Sequence, residues 1–526
     1  MGVIEHRQAT GALPRASAMG WAKDVGLDST PPATSSGSNR SLIAIAGVTE
    51  MTLPRQFLLV LIAATLSGSE GATSAWIRLP STWAEYFGIH YSGSQEGMGA
   101  WWGTVRGYGG ARVGLTTRSG EAIEGPFQQH QVAVQANDFT TTDGTPVLPL
   151  LEAADRRVTF IYGVQKLIRP TLEPFDRDLL YVTVRRLHAA NPELGRRICW
   201  EVGNEVVGAH FDPKGIARLP ENHGIKREDN FQGYDLDWKR DFYIEEYLAP
   251  AVEAIRRAAQ EVYGDPRTIR ILLGSMNPYN KPNRAFLEKT MAATFTGRQA
   301  PSLAGHTVAS QIDALNVHYM FSTGRENFDG VLAKTETMQC YVDQYLRTGL
   351  VKRLWITEEY GGVGKGGVSI VAAGFRFLAW VAANRLDSEQ TRVIWYGDKA
   401  EDGGGRAAVE LLGRFLEGRR LDYRCQAESE LTLHLLHATA TGKDPRLLAA
   451  LIPSRPFTGT ISLALPEGLA PGSITLVRYA AEAAPRNERL TVTLEDRRLD
   501  LKITEAVAEP ALLLISTADD VGALER

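Results

Sequence analysis

From Trp76 onward, short apolar runs rich in Val, Ile, Leu and aromatic residues alternate with longer stretches whose apolar positions recur every three or four residues. Eight runs carry the strand pattern: YFGIHY (86–91), ARVGL (111–115), VTFIY (158–162), RICWEV (197–202), IRILL (269–273), ALNVH (314–318), RLWIT (353–357) and RVIWY (392–396). Between them, DRDLLYVTVRRLHAA (176–190), FYIEEYLAPAVEAIRRAAQEVY (242–263) and VSIVAAGFRFLAWVAA (368–383) read as amphipathic helices. Strands alternating with helices in this way predict an α/β fold, a (β/α)8 TIM barrel, over residues 76–421. The second unit is irregular: residues 116–157 are rich in Thr, Gly and Gln, offer only a short helical segment near Leu148–Ala154, and predict a loop. After RAAVELLGRFLEG (406–418) the pattern becomes short runs separated by Gly, Pro, Asp and Asn: LTLHLLH, RLLAALI, TISLAL, SITLVRY, RLTVTL, LDLKIT and ALLLIS. These predict a C-terminal β-sandwich over 422–526, to which AWIRLP (75–80) can add a strand from the other end of the chain.

The N-terminus changes the picture of where the chain goes. Residues 1–50 are rich in Ser, Thr, Ala, Gly and Pro without a sustained period, and read as a leader that is disordered or not part of the mature protein. Residues 51–75 then follow the layout of a secretory signal peptide: Arg55, the apolar run FLLVLIAATL, and small residues ending at Ala75. An export signal opening at Met51 suggests that the natural start lies downstream of residue 1, and the expected location is secreted or periplasmic. The run is too short to span a bilayer, so no integral membrane span is expected in the mature protein. With 57 Lys+Arg against 61 Asp+Glu there is no basic field for a polyphosphate backbone, and nucleic acid is excluded as a partner. The three cysteines, Cys199, Cys340 and Cys425, are odd in number and show no CxxC spacing, so they are expected to be buried free thiols.

In a parallel barrel the chemistry gathers where strands end, and two ends carry acids. The fourth run reads RRICWEVGNEVVG, with Asn204 and Glu205 just past its end; the seventh reads KRLWITEEYGG, with Glu358 and Glu359 there. Hydrolysis of a glycosidic bond needs two carboxylates across one bond. WEVGNE and WITEEYGG resemble the fourth- and seventh-strand signatures of the clan of retaining glycoside hydrolases built on (β/α)8 barrels, such as family 39 or family 5, with the family within the clan left open. The resemblance covers roughly residues 80–420, and a trailing β-sandwich is a common companion in that clan.

The resemblance implies Glu205 as acid/base, Glu358 as nucleophile, and Asn204 as the contact to the sugar 2-hydroxyl. LNVHYM on the sixth run implies His318 and Tyr319 beside the nucleophile; Trp395 on the eighth matches the aromatic floor beneath the sugar; Arg112 and His90 match by position. The doubled acid departs from the clan's usual Thr-Glu-aromatic-Gly order, which leaves Glu359 as the alternative nucleophile. Burial and the neighbouring negative charge are expected to hold Glu205 protonated while Glu358 stays ionised, giving a bell-shaped dependence of rate on pH.

GVGKGG (362–367) satisfies GxGxxG after a strand, but Glu358 and Glu359 would repel a pyrophosphate, so the glycines are read as a loop near the cleft. No HExxH or Asp-rich calcium loop occurs, and no metal or cofactor is expected. The expected activity is that of an exported retaining glycoside hydrolase acting on a β-linked glycan or polysaccharide. A transglycosidase using the same residues, or a non-catalytic carbohydrate-binding protein, stands as the alternative; oligomeric state is left open.

Overall fold

The computed structural model describes residues 75–91, 110–114, 159–163, 177–208, 211, 235–278, 281–321, 331–359, 366–396, 405–427, 430–479, 486–490, 492–495 and 497–517. Residues 1–74, where a leader and an export signal are expected, the 116–157 segment and most of GVGKGG lie outside them. Residues 51–526 form one compact unit.

Eight parallel strands close into a barrel: β2 (Phe87–Tyr91), β3 (Gly110–Gly114), β4 (Thr159–Gly163), β5 (Ile198–Val202), β6 (Arg270–Leu273), β7 (Ala314–His318), β8 (Arg353–Glu359) and β9 (Val393–Tyr396), with β9 pairing back onto β2. Each falls on one of the eight apolar runs. Strand period decides what each run contributes, because alternate residues face opposite sides. Cys199, Leu272, Ala314, Trp355 and Ile394 form one small apolar cluster, the barrel interior. Their neighbours Trp200, Ile271, Leu315, Ile356 and Trp395 belong to the large core shared with the helices.

Among those helices are α1 (Trp83–Tyr86), α2 (Arg177–Ala190), α3 (Leu236–Phe242), α4 (Ala249–Tyr263), α5 (Lys281–Ala292), α6 (Val331–Tyr341), α7 (Gly366–Asn384) and α8 (Gly405–Leu416). The stretch 242–263, which reads as a single amphipathic helix, is interrupted by a π-helical segment at Tyr243–Leu248 between α3 and α4. Its first residue, Tyr243, hydrogen-bonds to the ends of two barrel strands.

The C-terminal strands build two antiparallel sheets. One holds, in order, β1 (Ile77–Arg78), β10 (Arg420–Ala427), β11 (Leu431–Ala440), β12 (Lys443–Pro453), β18 (Ala511–Ser516), β14 (Ser473–Arg478) and β15 (Arg486–Arg489); the other holds β13 (Phe457–Ala464), β17 (Arg498–Val507) and β16 (Val492–Glu495). The N-terminal strand β1 (Ile77–Arg78) pairs with β10 (Arg420–Ala427), as AWIRLP anticipated. The strand β10 itself carries alternating burial but was not among the runs singled out, and RLTVTL, which reads as one strand, supplies Arg489 of β15 (Arg486–Arg489) and most of β16 (Val492–Glu495), on different sheets.

The long runs LTLHLLH, RLLAALI and ALLLIS, in β11 (Leu431–Ala440), β12 (Lys443–Pro453) and β18 (Ala511–Ser516), are apolar on both faces because both are covered. Leu433, Leu447, Ala449, Leu513 and Ile515 pack toward the three-stranded sheet. Leu436, Leu448, Leu512 and Leu514 join the core of the barrel helices. Cys199 and Cys425 are buried, but Cys340 is exposed on α6, against the expectation for all three thiols. Among the described residues no helix is long and apolar enough to cross a membrane.

Candidate active site

The strand β5 ends at Val202 in a tight turn. Gly203 has φ 106°, and a Cβ there would lie 2.6 Å from Val206 Cγ1, so the position requires glycine. Two residues on, Glu205 has φ 45°, a left-handed conformation that a non-glycine residue adopts at a cost. Ser275, just past β6, holds the turn in place. Its Oγ accepts the Glu205 N–H at 3.1 Å and donates to Asn204 Oδ1 at 3.0 Å, while its carbonyl accepts the Val206 N–H at 3.2 Å. Beneath the turn, the Tyr243 hydroxyl donates to Val202 O at 2.7 Å and accepts from Gly274 N at 3.0 Å, tying the ends of β5 and β6 together. Burial pushes the Tyr243 hydroxyl far above its ordinary pKa, so it serves only as a neutral hydrogen-bonding group.

The opposite wall comes from β7 and β8. Register is regular up to Val317↔Ile356, but His318 then pairs with Glu358, leaving Thr357 as an extra residue in a bulge. Simple alternation from the inward-facing Trp355 would place Thr357 and Glu359 inside and Glu358 outside. The bulge reverses the end of the strand. Thr357 hydrogen-bonds to Asn316 and His318, Glu358 follows it to the same side, and Glu359 turns outward. There Glu359 accepts the Phe321 N–H at 2.8 Å and lies in electrostatic contact with Arg376 of α7, whose pKa burial lowers to about 10.

Five of the residues singled out in the sequence meet at this end of the barrel. Tyr319, itself at φ 57°, donates from its hydroxyl to Glu358 Oε2 at 2.5 Å, and its N–H donates to Glu358 O at 2.9 Å. His318 Nδ1 lies 3.3 Å from Glu205 Oε1 and 3.5 Å from Glu358 Oε2. A ring nitrogen of His318 and one oxygen from each of Glu205 and Glu358 all lie within 4.8 Å of one another. The Glu205 side chain is 15% exposed and Glu358 is 6% exposed, so the pair is recessed yet reachable from the Glu205 side. Asn204 stands next to Glu205 with its carbonyl oxygen held by Ser275.

Trp395 does not join them. It is in register with Glu359 on the outer face of the barrel, stacks on Phe87 with ring centroids 5.6 Å apart, and meets α7 at Gly374. Strand period puts Ile394 inside and Trp395 outside, so it braces the helix layer and forms no floor under the carboxylates. His90 and Arg112 are in register with each other on β2 and β3, but their side chains lie outside the described residues.

No family model matches the chain, and no curated protein matches it. Solved structures with similar folds include a family 51 α-L-arabinofuranosidase from Bifidobacterium longum, at 11% identity over 88% of this chain and 90% of that one, TM-score 0.44. A family 86 β-porphyranase from Bacteroides plebeius matches at 9% identity over 84% of this chain and 76% of that one, TM-score 0.42. A family 5 lichenase from Caldicellulosiruptor sp. F32 matches at 11% identity over 66% of this chain and 99% of that one, TM-score 0.36. These are distant likenesses. The barrel stands on its own strand register, and the site on its own residues.

Two side chains not singled out from the sequence complete the site. Asn277 Nδ2 donates to Glu205 Oε1 at 2.8 Å, and Ser275 fixes the turn; both follow directly on the run 269–273. The Glu205–His318–Glu358 trio has metal-like spacing, and Asn277 and Tyr319 direct hydrogen-bond donors at its carboxylates. A separate cavity of about 850 Å³, lined by Trp238, Phe242, Glu245, Thr296 and Arg298 among others, opens beside α3 and shares no residue with this group. Among the described residues that line it there is no histidine.

Proposed function

We propose that the protein is an exported retaining glycoside hydrolase that cleaves a β-linked glycan by double displacement, with Glu358 as nucleophile and Glu205 as acid/base. The observation that carries the reading is the approach of Glu205 and Glu358 oxygens to within 4.8 Å. Direct attack by a carboxylate requires the two groups about 5–5.5 Å apart, whereas an enzyme that inserts a water between them needs about 6.5–9.5 Å. Glu358, oriented by Tyr319, attacks the anomeric carbon as Glu205 passes its proton to the leaving oxygen. In the second half Glu205 takes a proton from water, and the hydroxide displaces Glu358. Asn204 is the proposed contact to the 2-hydroxyl. Export is supported by the layout of residues 51–75.

The test is hydrolysis of a panel of aryl β-glycosides and β-glucans by the full chain, with Glu205→Ala, Glu358→Ala and Glu359→Ala alongside. Loss of activity in the first two is expected, with azide restoring turnover to Glu358→Ala and yielding a glycosyl azide of inverted configuration. A wild-type protein that cuts nothing yet binds a glycan as well as its variants do would replace this reading with that of a binding protein.

A further inference from the structure

Below the carboxylates, the barrel interior holds a chain of polar side chains that the double-displacement reading leaves unused. Glu201 on β5, Asn316 on β7 and Thr357 on β8 are fully buried, as is His318. Asn316 Nδ2 donates to Glu201 Oε1 at 2.6 Å, and Thr357 Oγ1 donates to Asn316 Oδ1 at 2.5 Å. His318 Nε2 is 3.2 Å from Thr357 Oγ1. We propose that Glu201, Asn316 and Thr357 are positioning residues that lock His318 in its Nε2–H tautomer, making Nδ1 the atom that shares the proton of the Glu205–Glu358 pair.

The direction of each hydrogen bond follows from what each group carries. Donation of the Asn316 amide N–H to Glu201 turns its carbonyl oxygen toward Thr357. An amide oxygen has no proton, so the hydrogen in that short contact belongs to the Thr357 hydroxyl. A hydroxyl has only one, and Thr357 can therefore meet His318 Nε2 only as acceptor, which requires the proton on Nε2. A neutral imidazole has a single N–H, so Nδ1 then presents a lone pair to Glu205 Oε1 and Glu358 Oε2. A proton among these three acceptor atoms, held on Nδ1 or on Glu205, turns their mutual repulsion into a hydrogen bond. Asn277 Nδ2, on Glu205, and the Tyr319 hydroxyl, on Glu358, each add a donor to the trio and leave that proton in place.

The tautomer can be read without turnover. Only its catalytic consequence rests on the glycosidase reading. In full-length protein labelled with 15N-histidine, His318 is identified by its absence from His318→Gln. Its Nε2 is expected to show a pyrrole-type shift throughout pH 5–9. Asn316→Ala frees the Thr357 hydroxyl to turn toward His318, and Nε2 is expected to become pyridine-type. In kinetics, Thr357→Val removes the acceptor that favours the doubly protonated ring, and the alkaline limb of kcat/KM is expected to move down by about one pH unit. Thr357→Ser is expected to restore it. A wild-type His318 protonated on Nδ1 with a pyridine-type Nε2 overturns the proposal, as does an alkaline limb that Thr357→Val leaves in place. If the wild type hydrolyses no glycoside, the proposed function fails and the 15N spectrum alone decides the tautomer.

Discussion

Glu205 and Tyr319 both have positive φ, and each is held there by bonds to the facing strand end: Glu205 through Ser275, Tyr319 through Glu358. Backbone in this region costs on the order of 1–2 kcal/mol per residue, and it persists where the surroundings fix it. These conformations place the Glu205 carboxylate beside His318 at the end of β7 and the Tyr319 hydroxyl on Glu358 at the end of β8. Tyr319→Phe removes a hydrogen bond to a charged oxygen, worth about 1.5–3 kcal/mol. The expected result is a fall in kcat/KM of about 10- to 100-fold with the fold intact, measured by steady-state kinetics and circular dichroism. At this scale Glu205, Glu358, Asn204, His318 and Tyr319 were legible because acids and a histidine at strand ends stand out. Ser275 and Asn277 were not, because Ser and Asn before Pro278 read as ordinary turn chemistry.

Among the elements, the bulge at Thr357 and the π-helical turn at Tyr243 do what regular strands and helices cannot. The bulge gives consecutive residues of β8 separate tasks, Glu358 toward the site and Glu359 toward α7. Glu359→Ala therefore leaves the buried Phe321 N–H without its acceptor, and is expected to cost about 1–3 kcal/mol in equilibrium unfolding. Azide is expected to give it no rescue, unlike Glu358→Ala. The π-helical turn brings Tyr243 under both strand ends at the one place where a side chain on the neighbouring residue cannot fit. A Cβ on Gly274 would lie 2.4 Å from Val202 O and 2.7 Å from the Tyr243 hydroxyl. Gly274→Ala is expected to destabilise by about 1–3 kcal/mol and, because it moves the Ser275 brace, to lower kcat more than KM rises.

The whole molecule behaves as one core with a second layer attached. The seven-stranded sheet covers the helices behind β8, and His434 sits at that junction, its ring centroid 6.1 Å from Phe375 of α7 and its Nδ1 2.7 Å from the Tyr423 hydroxyl. Burial lowers the pKa of His434 to about 3, and that of His188, behind β5, also to about 3. In the unfolded chain both titrate near 6.5, so between these values the unfolded state binds protons that the folded state does not. Stability is therefore full above pH 6.5 and falls as pH drops below it, by about 1.4 kcal/mol per pH unit for each histidine. Urea unfolding between pH 7.5 and 5 is expected to show that slope, and His434→Gln is expected to make it shallower by one histidine's share.

The order of eight strand runs, the change to short antiparallel runs after residue 418, and the acids after the fourth and seventh strands are properties of the chain alone. Period and strand-end position are local, and a linear pattern records them. Which of Glu358 and Glu359 faces inward, and that Trp395 faces out, depend on how β8 registers against β7 and β9. The proton direction through Glu201, Asn316 and Thr357 depends on three strands meeting in one layer. Only closure of the barrel sets such contacts, because the residues involved are tens to more than a hundred positions apart and no single run carries a trace of its partners.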